Sequence, residues 1–291
     1  MRILILGNGF ISRELSEYLD QEEHEVLLVG RKQNSQISSP QVTYNLFEDE
    51  YFELFELWNP QIVISTAWVT EPKIYASSLL NYEYVKMMSR LAKRLLVSNV
   101  ERLIILGSCD EYGAVKMPTV SGITPLNPES VYGQAKVSAL REVESLLRDS
   151  DVKFTWARIF FPYGRSLHHE KFISQVFDSI ILQQEFSIRS PRMLRDWIST
   201  RDISRAISWT INHNLIGEID IATSIGVSNL DIVSILEALL SKKAMIKYEG
   251  LNIYSPSEDL MLVADSTSPI FTSGWLPEHN IVSGITWAFE L

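Results

Sequence analysis

Three side chains have the types and spacing to move a proton while a hydride moves on carbon: Ser108, Tyr132 and Lys136. They lie in GSCDEYG (107–113) and, after a loop, in NPESVYGQAK (127–136). Asn127 is a good helix cap and Pro128 suits a first helical position, so a helix is expected to start there. Tyr132 and Lys136 then share one helix face, one turn apart. A free phenol titrates near ~10 and is a poor acid or base at neutral pH, whereas a neighbouring ammonium favours the phenolate. A hydroxyl such as Ser108, at the end of a preceding strand, would hydrogen-bond the same substrate oxygen. Tyr and Lys four apart also occur on helices with no such role, so the surrounding elements must support the reading.

Those elements alternate as strands and helices. Residues 2–6 (RILIL) form an apolar run that ends in Gly7-Asn8-Gly9-Phe10-Ile11-Ser12 and passes into a helical pattern. In a strand–turn–helix unit, Gly7 and Gly9 let the main chain approach a pyrophosphate. The helix start at Phe10 and Ile11 offers free N–H groups. The alternative is a tight turn with no ligand. The next strand, EVLLVG (25–30), ends in Arg31-Lys32 and carries no carboxylate. A carboxylate there would accept from a ribose 2′-hydroxyl, whereas two cations would bind a 2′-phosphate. NADP(H) is therefore favoured over NAD(H). The two cations could instead be solvated loop residues.

QVTYNL (41–46) reads as a third strand that places Asn45 near an adenine, and 47–58 as an acidic amphipathic helix. QIVISTAW (61–68) delivers Ala67 to a strand end. A helix over 77–99 carries Asn81, and strand 102–108 delivers Ser108. Ligands of open α/β sheets bind at the carboxyl ends of the strands. Gly7, Arg31, Ala67 and Ser108 all fall at such ends. Farther on, 152–164 reads as a strand, about 170–184 as a helix and 193–209 as a strand turn and a helix capped near Asp202. EIDIA (218–222) is a strand, 228–240 a helix capped by Ser228, and a last helix starts near 280.

With 291 residues the chain holds one large or two unequal domains. Apolar residues make up 46% and the formal charge is −10, which argues against nucleic acid or an anionic membrane as partner. The apolar runs are strand-length, too short to span a bilayer. A single cysteine, Cys109, excludes an internal disulfide. With Met1-Arg2 leading directly into a strand, the expected compartment is the cytoplasm. The five histidines show no ligand spacing, so no metal is expected; His168-His169-Glu170 reads as a loop or helix start.

GNGFIS, TAW (66–68), Asn81, GSCDEYG, TPLNPESVYGQAK, RIFFPYG and RDWISTRDISRAI stand together in an order that resembles the extended short-chain dehydrogenase/reductases of the nucleotide-sugar epimerase/dehydratase group. The resemblance covers about 2–240. It implies a Rossmann-type doubly wound parallel sheet, formed by 1–164 plus about 193–222. A smaller α/β substrate lobe would come from about 165–192 plus 223–291. It also implies a homodimer paired through the helices at 77–99 and 130–149. Tyr132 is the implied acid/base, Lys136 the implied holder of the nicotinamide ribose and Ser108 the implied binder of the substrate oxygen. Arg195 would contact a nucleotide diphosphate; an ion pair with Asp196 or Asp202 is the other reading. Leu6 and Ser12 replace family glycines, and Phe161 stands where many epimerases carry a substrate-contacting Asn. Asp110 sits near the position of a dehydratase acid.

The implied substrate is a nucleotide-diphosphate sugar. The first expectation is an NADPH-dependent reductase of a nucleotide-linked 4-keto-6-deoxy sugar. The alternative is an epimerase or 4,6-dehydratase with a tightly held oxidised cofactor, and a remote one is a non-catalytic NADP-binding regulator.

Overall fold

Ile3 and Ile5 point to one side of the first strand, Leu4 and Leu6 to the other, and all four are fully buried. A strand apolar on both faces needs cover on both, and a parallel sheet flanked by helices supplies it. A computed structural model, which describes residues 1–248 and 260–291, shows that sheet. Its strands are β1 (Arg2–Leu6), β2 (Glu25–Gly30), β3 (Gln41–Thr43), β4 (Ile62–Ser65), β5 (Arg102–Ser108), β6 (Lys153–Ile159) and, later in the chain, β10 (Gly217–Ile221). Their order is β10-β6-β5-β4-β1-β2-β3, all parallel. The chain runs outward from β1 through β2 to β3, then returns to the other side of β1 with β4. The strand order therefore reverses between β1 and β4, where such sheets open a crevice.

Helices α1 (Phe10–Gln21) and α6 (Thr200–Asn212) cover one face through Leu15, Leu19, Ile203 and Ile207. The short α2 (Leu54–Leu57) and the longer α3 (Leu80–Leu95) and α4 (Val131–Leu147) cover the other through Phe55, Met87, Leu91 and Leu140. The second region contains β7 (Phe161–Tyr163), α5 (Phe172–Leu182), β8 (Glu185–Ile188), β9 (Leu194–Ser199), β11 (Gly226–Ser228), α7 (Asn229–Leu240), β12 (Met245–Tyr248) and β13 (Met261–Leu262). α8 (Pro269–Thr272) and α9 (Ile281–Phe289) follow. β9 pairs with β7, β11 and β13, and β12 pairs with β8. A separate apolar cluster around Ile173, Trp197, Leu236 and Ile285 fills this region. The part of the expected substrate lobe at 249–259 lies outside the described residues.

Several local expectations change. The helix with Tyr132 starts at Val131 and is capped by Ser130, whose Oγ accepts from Gly133 N at 2.9 Å; Asn127 does not cap it. Asn127 instead lies against Gly113, where a Cβ would meet its carbonyl. The expected helix at 47–58 is a 3-10 turn at Glu50–Glu53 followed by the four residues of α2. The helix expected over 77–99 is the shorter α3, which places Asn81 in its first turn. The single strand expected over 152–164 breaks after Ile159, so β6 stays in the large sheet and β7 enters the second region. α6 is capped by Ser199, with Asp202 three residues inside. Ser228 caps α7 as its sequence implies, and Asp231 returns a bond to the Ser228 N–H.

Candidate active site

At the carboxyl end of β1 the chain turns through Gly7, whose φ is 109°. A Cβ there would lie 2.5 Å from Thr66 Oγ1 and 2.9 Å from Ala67 N, so the close approach of β1 to β4 requires glycine. Helix α1 starts after Gly9, which offers no side-chain cap, and this leaves its first N–H groups to an anion. Ser12, in place of a third glycine, is buried and shares a 2.7 Å hydrogen bond with Thr66 Oγ1. A small side chain still lets α1 pack closely, and here it also ties α1 to the end of β4.

At the end of β2, Gly30 packs on the Asn8 side chain so closely that a Cβ would overlap the amide. Asn8 Nδ2 donates to Gln41 Oε1 at 3.1 Å and to Lys32 O at 2.7 Å. A side chain at position 30 would have to displace the Asn8 amide.

These turns border a cleft of about 1430 Å³ between the large sheet and the second region. A single drug-sized ligand needs roughly 300–1,000 Å³, so the cleft has room for two ligands end to end. Gly7, Gly9, Phe10, Ile11, Arg31, Ala67, Phe161 and Arg195 all line it. Lys32, Asn45, Asn81 and Asp110 are not among its lining residues. Lys32 and Asn45 are exposed. Asn45 accepts from Phe47 N. Asn81 is fully buried and its amide is committed: it donates to Tyr75 O and Ser78 O and accepts from Trp68 Nε1 at 2.7 Å. It holds Trp68 and the start of α3. The Asp110 carboxylate is bonded to Ser130 Oγ at the start of α4, facing Gly133.

Ser108, Tyr132 and Lys136 come together at the end of β5. Ser108 caps a 3-10 turn, Cys109–Tyr112, with its hydroxyl accepting from Asp110 N at 3.2 Å, and its side chain is near enough to act on the Tyr132 phenol. Both residues keep part of their surface exposed, while Lys136 is buried. Lys136 Nζ donates to Leu106 O and lies 3.9 Å from the Trp68 ring centre. Burial pushes the Tyr132 phenol above its ordinary value, and the Glu111 and Asp110 carboxylates add to that; the Ser108 side chain works the other way. The expected lowering of Tyr132 by Lys136 is therefore not met in this arrangement. The ammonium is 5.8 Å from the Tyr132 ring centre and is directed at Leu106 and Trp68. Burial lowers Lys136, and the Glu111 carboxylate opposes that.

The trio does not itself line the cleft. Trp68 and Tyr75 do, and both stand edge-on to the Tyr132 ring, with centroids 6.4 and 5.2 Å away. Neither aromatic was legible as a site residue, because tryptophans and tyrosines after a strand usually read as core. Lys171 also lines the cleft, with Nζ 5.1 Å from the Tyr75 ring centre. Arg195 Nη1 donates to Asn229 Oδ1 at 2.8 Å, and its guanidinium lies over the Phe161 ring. The alternative ion pair is absent: Asp196 binds Thr223, Ser224 and Ala264, and Asp202 binds Arg205 and His279. Cys109 is buried and its thiol is pushed up by that burial, as befits a packed side chain. His168, His169 and Glu170 bring one donor atom each to within 4.8 Å of one another, but Lys73 binds the Glu170 carboxylate.

This arrangement can be compared with known proteins. The model of the NAD dependent epimerase/dehydratase family matches residues 3–225. The chain belongs to that family. A UDP-glucose 4-epimerase of Lactobacillus helveticus is 21% identical over 98% of this chain and 94% of its own length. The solved UDP-glucose 4-epimerase of Thermus thermophilus, a complex with NAD, superposes with a TM-score of 0.85 at 17% identity, covering 100% of this chain and 98% of that one. The dTDP-glucose 4,6-dehydratase of Bacillus anthracis, also with NAD, gives 0.85 at 18% identity, covering 100% and 96%. The fold is thus the Rossmann-type sheet of these family members, with a second lobe over the cleft. Among the described residues no helix is long and apolar enough to cross a membrane.

Proposed function

We propose that this protein is a nucleotide-sugar epimerase that oxidises a sugar C4 hydroxyl with bound NAD(P)+ and returns the hydride to the opposite face. The observation that carries the reading is the placing of Ser108, Tyr132 and Lys136 together at the end of β5, behind a two-ligand cleft. Gly7, Gly9, Phe10 and Ile11 would receive the cofactor pyrophosphate on main-chain N–H groups, with Ala67 against the nicotinamide half. Lys136 would turn from Leu106 to the nicotinamide ribose. Tyr132 would take the O4 proton as the hydride leaves C4, with Ser108 holding the oxygen, and give it back on return. Arg195 would bind the sugar nucleotide's diphosphate beside Phe161.

The comparisons support the epimerase or dehydratase alternative over the reductase first expected from the sequence. Between those two, the position of Asp110 favours epimerisation. Dehydration needs an acid aimed at the sugar, and this carboxylate is committed to Ser130. The reductase remains a second reading because of Gly30 and Arg31. The strand end carries no carboxylate and presents a cation, which suits the 2′-phosphate of NADPH, a cofactor that reductases exchange with solution. NADP(H) is accordingly the proposed preference. A homodimer through α3 and α4 belongs to the proposal on resemblance alone. On α4 the apolar residues Ala135, Val137, Ala139, Leu140, Val143 and Leu147 are buried within the chain. Light scattering that gives the mass of one chain at micromolar concentration would remove it.

Mass spectrometry of the cofactor that co-purifies, followed by a panel of nucleotide sugars, tests the reading. Retained NAD(P)+ and interconversion of two C4 epimers without net cofactor turnover is the expected result. Stoichiometric NADPH consumption with a 4-keto sugar nucleotide would replace it with the reductase.

A further inference from the structure

Beneath Ser108 lies a carboxylate that the proposed reaction does not use. Glu111 is fully buried in the 3-10 turn. Its Oε1 accepts the Ser108 main-chain N–H at 2.8 Å, and both its oxygens accept from the Trp156 indole N–H at 3.0 Å. Oε2 accepts from Arg158 Nε at 2.7 Å. Position 107 is glycine for the same reason. A Cβ there would lie 2.7 Å from Glu111 Oε1 and would overlap the Trp156 indole. The Lys136 ammonium approaches that indole from α4, 5.8 Å from the Trp156 ring centre. A buried carboxylate is costly unless paired, and Arg158 pairs this one. In so dry a setting its field still reaches neighbouring groups.

We propose that Glu111 is a positioning residue: from beneath the turn it fixes the Ser108 main chain, holds the Trp156 indole that Lys136 approaches, and sets a carboxylate under the group of Ser108, Tyr132 and Lys136. The inference rests on the roles given above to Ser108, Tyr132 and Lys136. The charged and titratable groups around the pair come from three further elements. β6 supplies Arg158, β10 supplies Glu218, bonded to Arg158, and α4 supplies Lys136 and Tyr132. Tyr112, on the same turn as Glu111, gives its hydroxyl to Asp220 of β10. The carboxylate that acts on Lys136 is that of Glu111, and it raises the lysine against the lowering by burial. Removing the charge should therefore let Lys136 lose its proton at lower pH. The alkaline limb of turnover should move to lower pH with it.

The test is lysine 13Cε NMR of the substrate-free protein, with Lys136 assigned by the loss of its signal in Lys136→Met. In Glu111→Gln the Lys136 midpoint should fall by about one pH unit or more. The alkaline limb of kcat/KM should fall by a similar amount. Glu111→Asp keeps the charge but shortens the reach. There the Lys136 midpoint should stay near its wild-type value, while the Ser108 amide exchanges faster with solvent and turnover drops. An unmoved Lys136 midpoint in Glu111→Gln overturns the proposal. So does unchanged Ser108 exchange with unchanged turnover in Glu111→Asp, which decides the matter if Glu111→Gln does not fold. Full turnover in Tyr132→Phe would remove the catalytic assignment itself, a failure distinct from these because the lysine titration needs no substrate.

Discussion

The two sides of the cleft present different kinds of groups. On the side of β1 and α1, the cleft is edged by main chain: Gly7, Gly9 and the uncapped start of a helix, within six consecutive residues. On the far side it is edged by side chains from separate elements: Phe161 on β7, Lys171 at the cap of α5, Arg195 on β9 and Asn229 on α7. Between them stands the end of β5, where a hydroxyl, a phenol and an ammonium rest on a buried ion pair. A main-chain site depends on which residues are small. A side-chain site depends on which residues are present. Substitutions should therefore act differently on the two sides.

The largest effect should fall between them. Tyr132→Phe keeps the ring and its contacts with Trp68 and Tyr75 but removes the transferable proton. Turnover should fall by about 10²–10⁴-fold, the usual contribution of a positioned acid or base. Cofactor affinity, followed by fluorescence titration, should survive. Near-normal turnover would make the helix carrying Tyr132 and Lys136 a scaffold.

On the side-chain edge, Arg195→Ala should weaken the sugar nucleotide by about 1.5–3 kcal/mol, the range for a charge-assisted bond, or roughly tenfold and more. It should appear in KM for the sugar nucleotide and leave cofactor binding alone. A matching loss of cofactor affinity would show that the two sides are not separate. Arg31→Ala tests an exposed cation on the other edge, where the argument is a side chain. NADPH should bind about tenfold more weakly and NADH nearly unchanged. Equal losses would make Arg31 a loop residue and remove the argument for a 2′-phosphate.

The same contrast explains what could be read in advance. The unbroken apolar run of β1 and the glycine turn after it are local patterns, so the strand and its main-chain edge were legible in the sequence, and the family resemblance supplied the sheet. Tyr132 and Lys136 were legible because helical spacing puts them on one face. The side-chain edge was not, apart from Phe161 and Arg195, which a family resemblance supplied. Lys171 and Asn229 line one cleft only because β7, α5, β9 and α7 fold together. Cap positions failed for a smaller reason. Ser130 and Asn127 are both competent caps, and the packing of the Asn127 carbonyl on Gly113 decides between them. Asn81, on the helix expected over 77–99, was expected at the cofactor through the family resemblance, yet its amide is consumed by Tyr75, Ser78 and Trp68. Glu111 carried no signal, since a glutamate beside a tyrosine in a turn is ordinary until Arg158 and Trp156 arrive from β6.

The smallest effect on ligands should come from Ser12→Gly, which restores a third glycine to the turn. Ser12 is buried, and its hydroxyl is bonded to Thr66 Oγ1, so the change removes one buried hydrogen bond. That costs about 0.5–1.5 kcal/mol, and a glycine inside a helix adds roughly 0.5–1 kcal/mol. Thr66 keeps a partner, because its hydroxyl also donates to Leu6 O at 3.1 Å, which holds the loss near the lower end. The midpoint of urea unfolding should fall accordingly. Cofactor affinity should not follow, because the groups proposed to meet the pyrophosphate are main-chain N–H groups that the substitution leaves in place. A fall in NADPH affinity larger than the fall in stability would mean that the Ser12 side chain itself contacts the cofactor, and that the β1 edge binds through side chains after all.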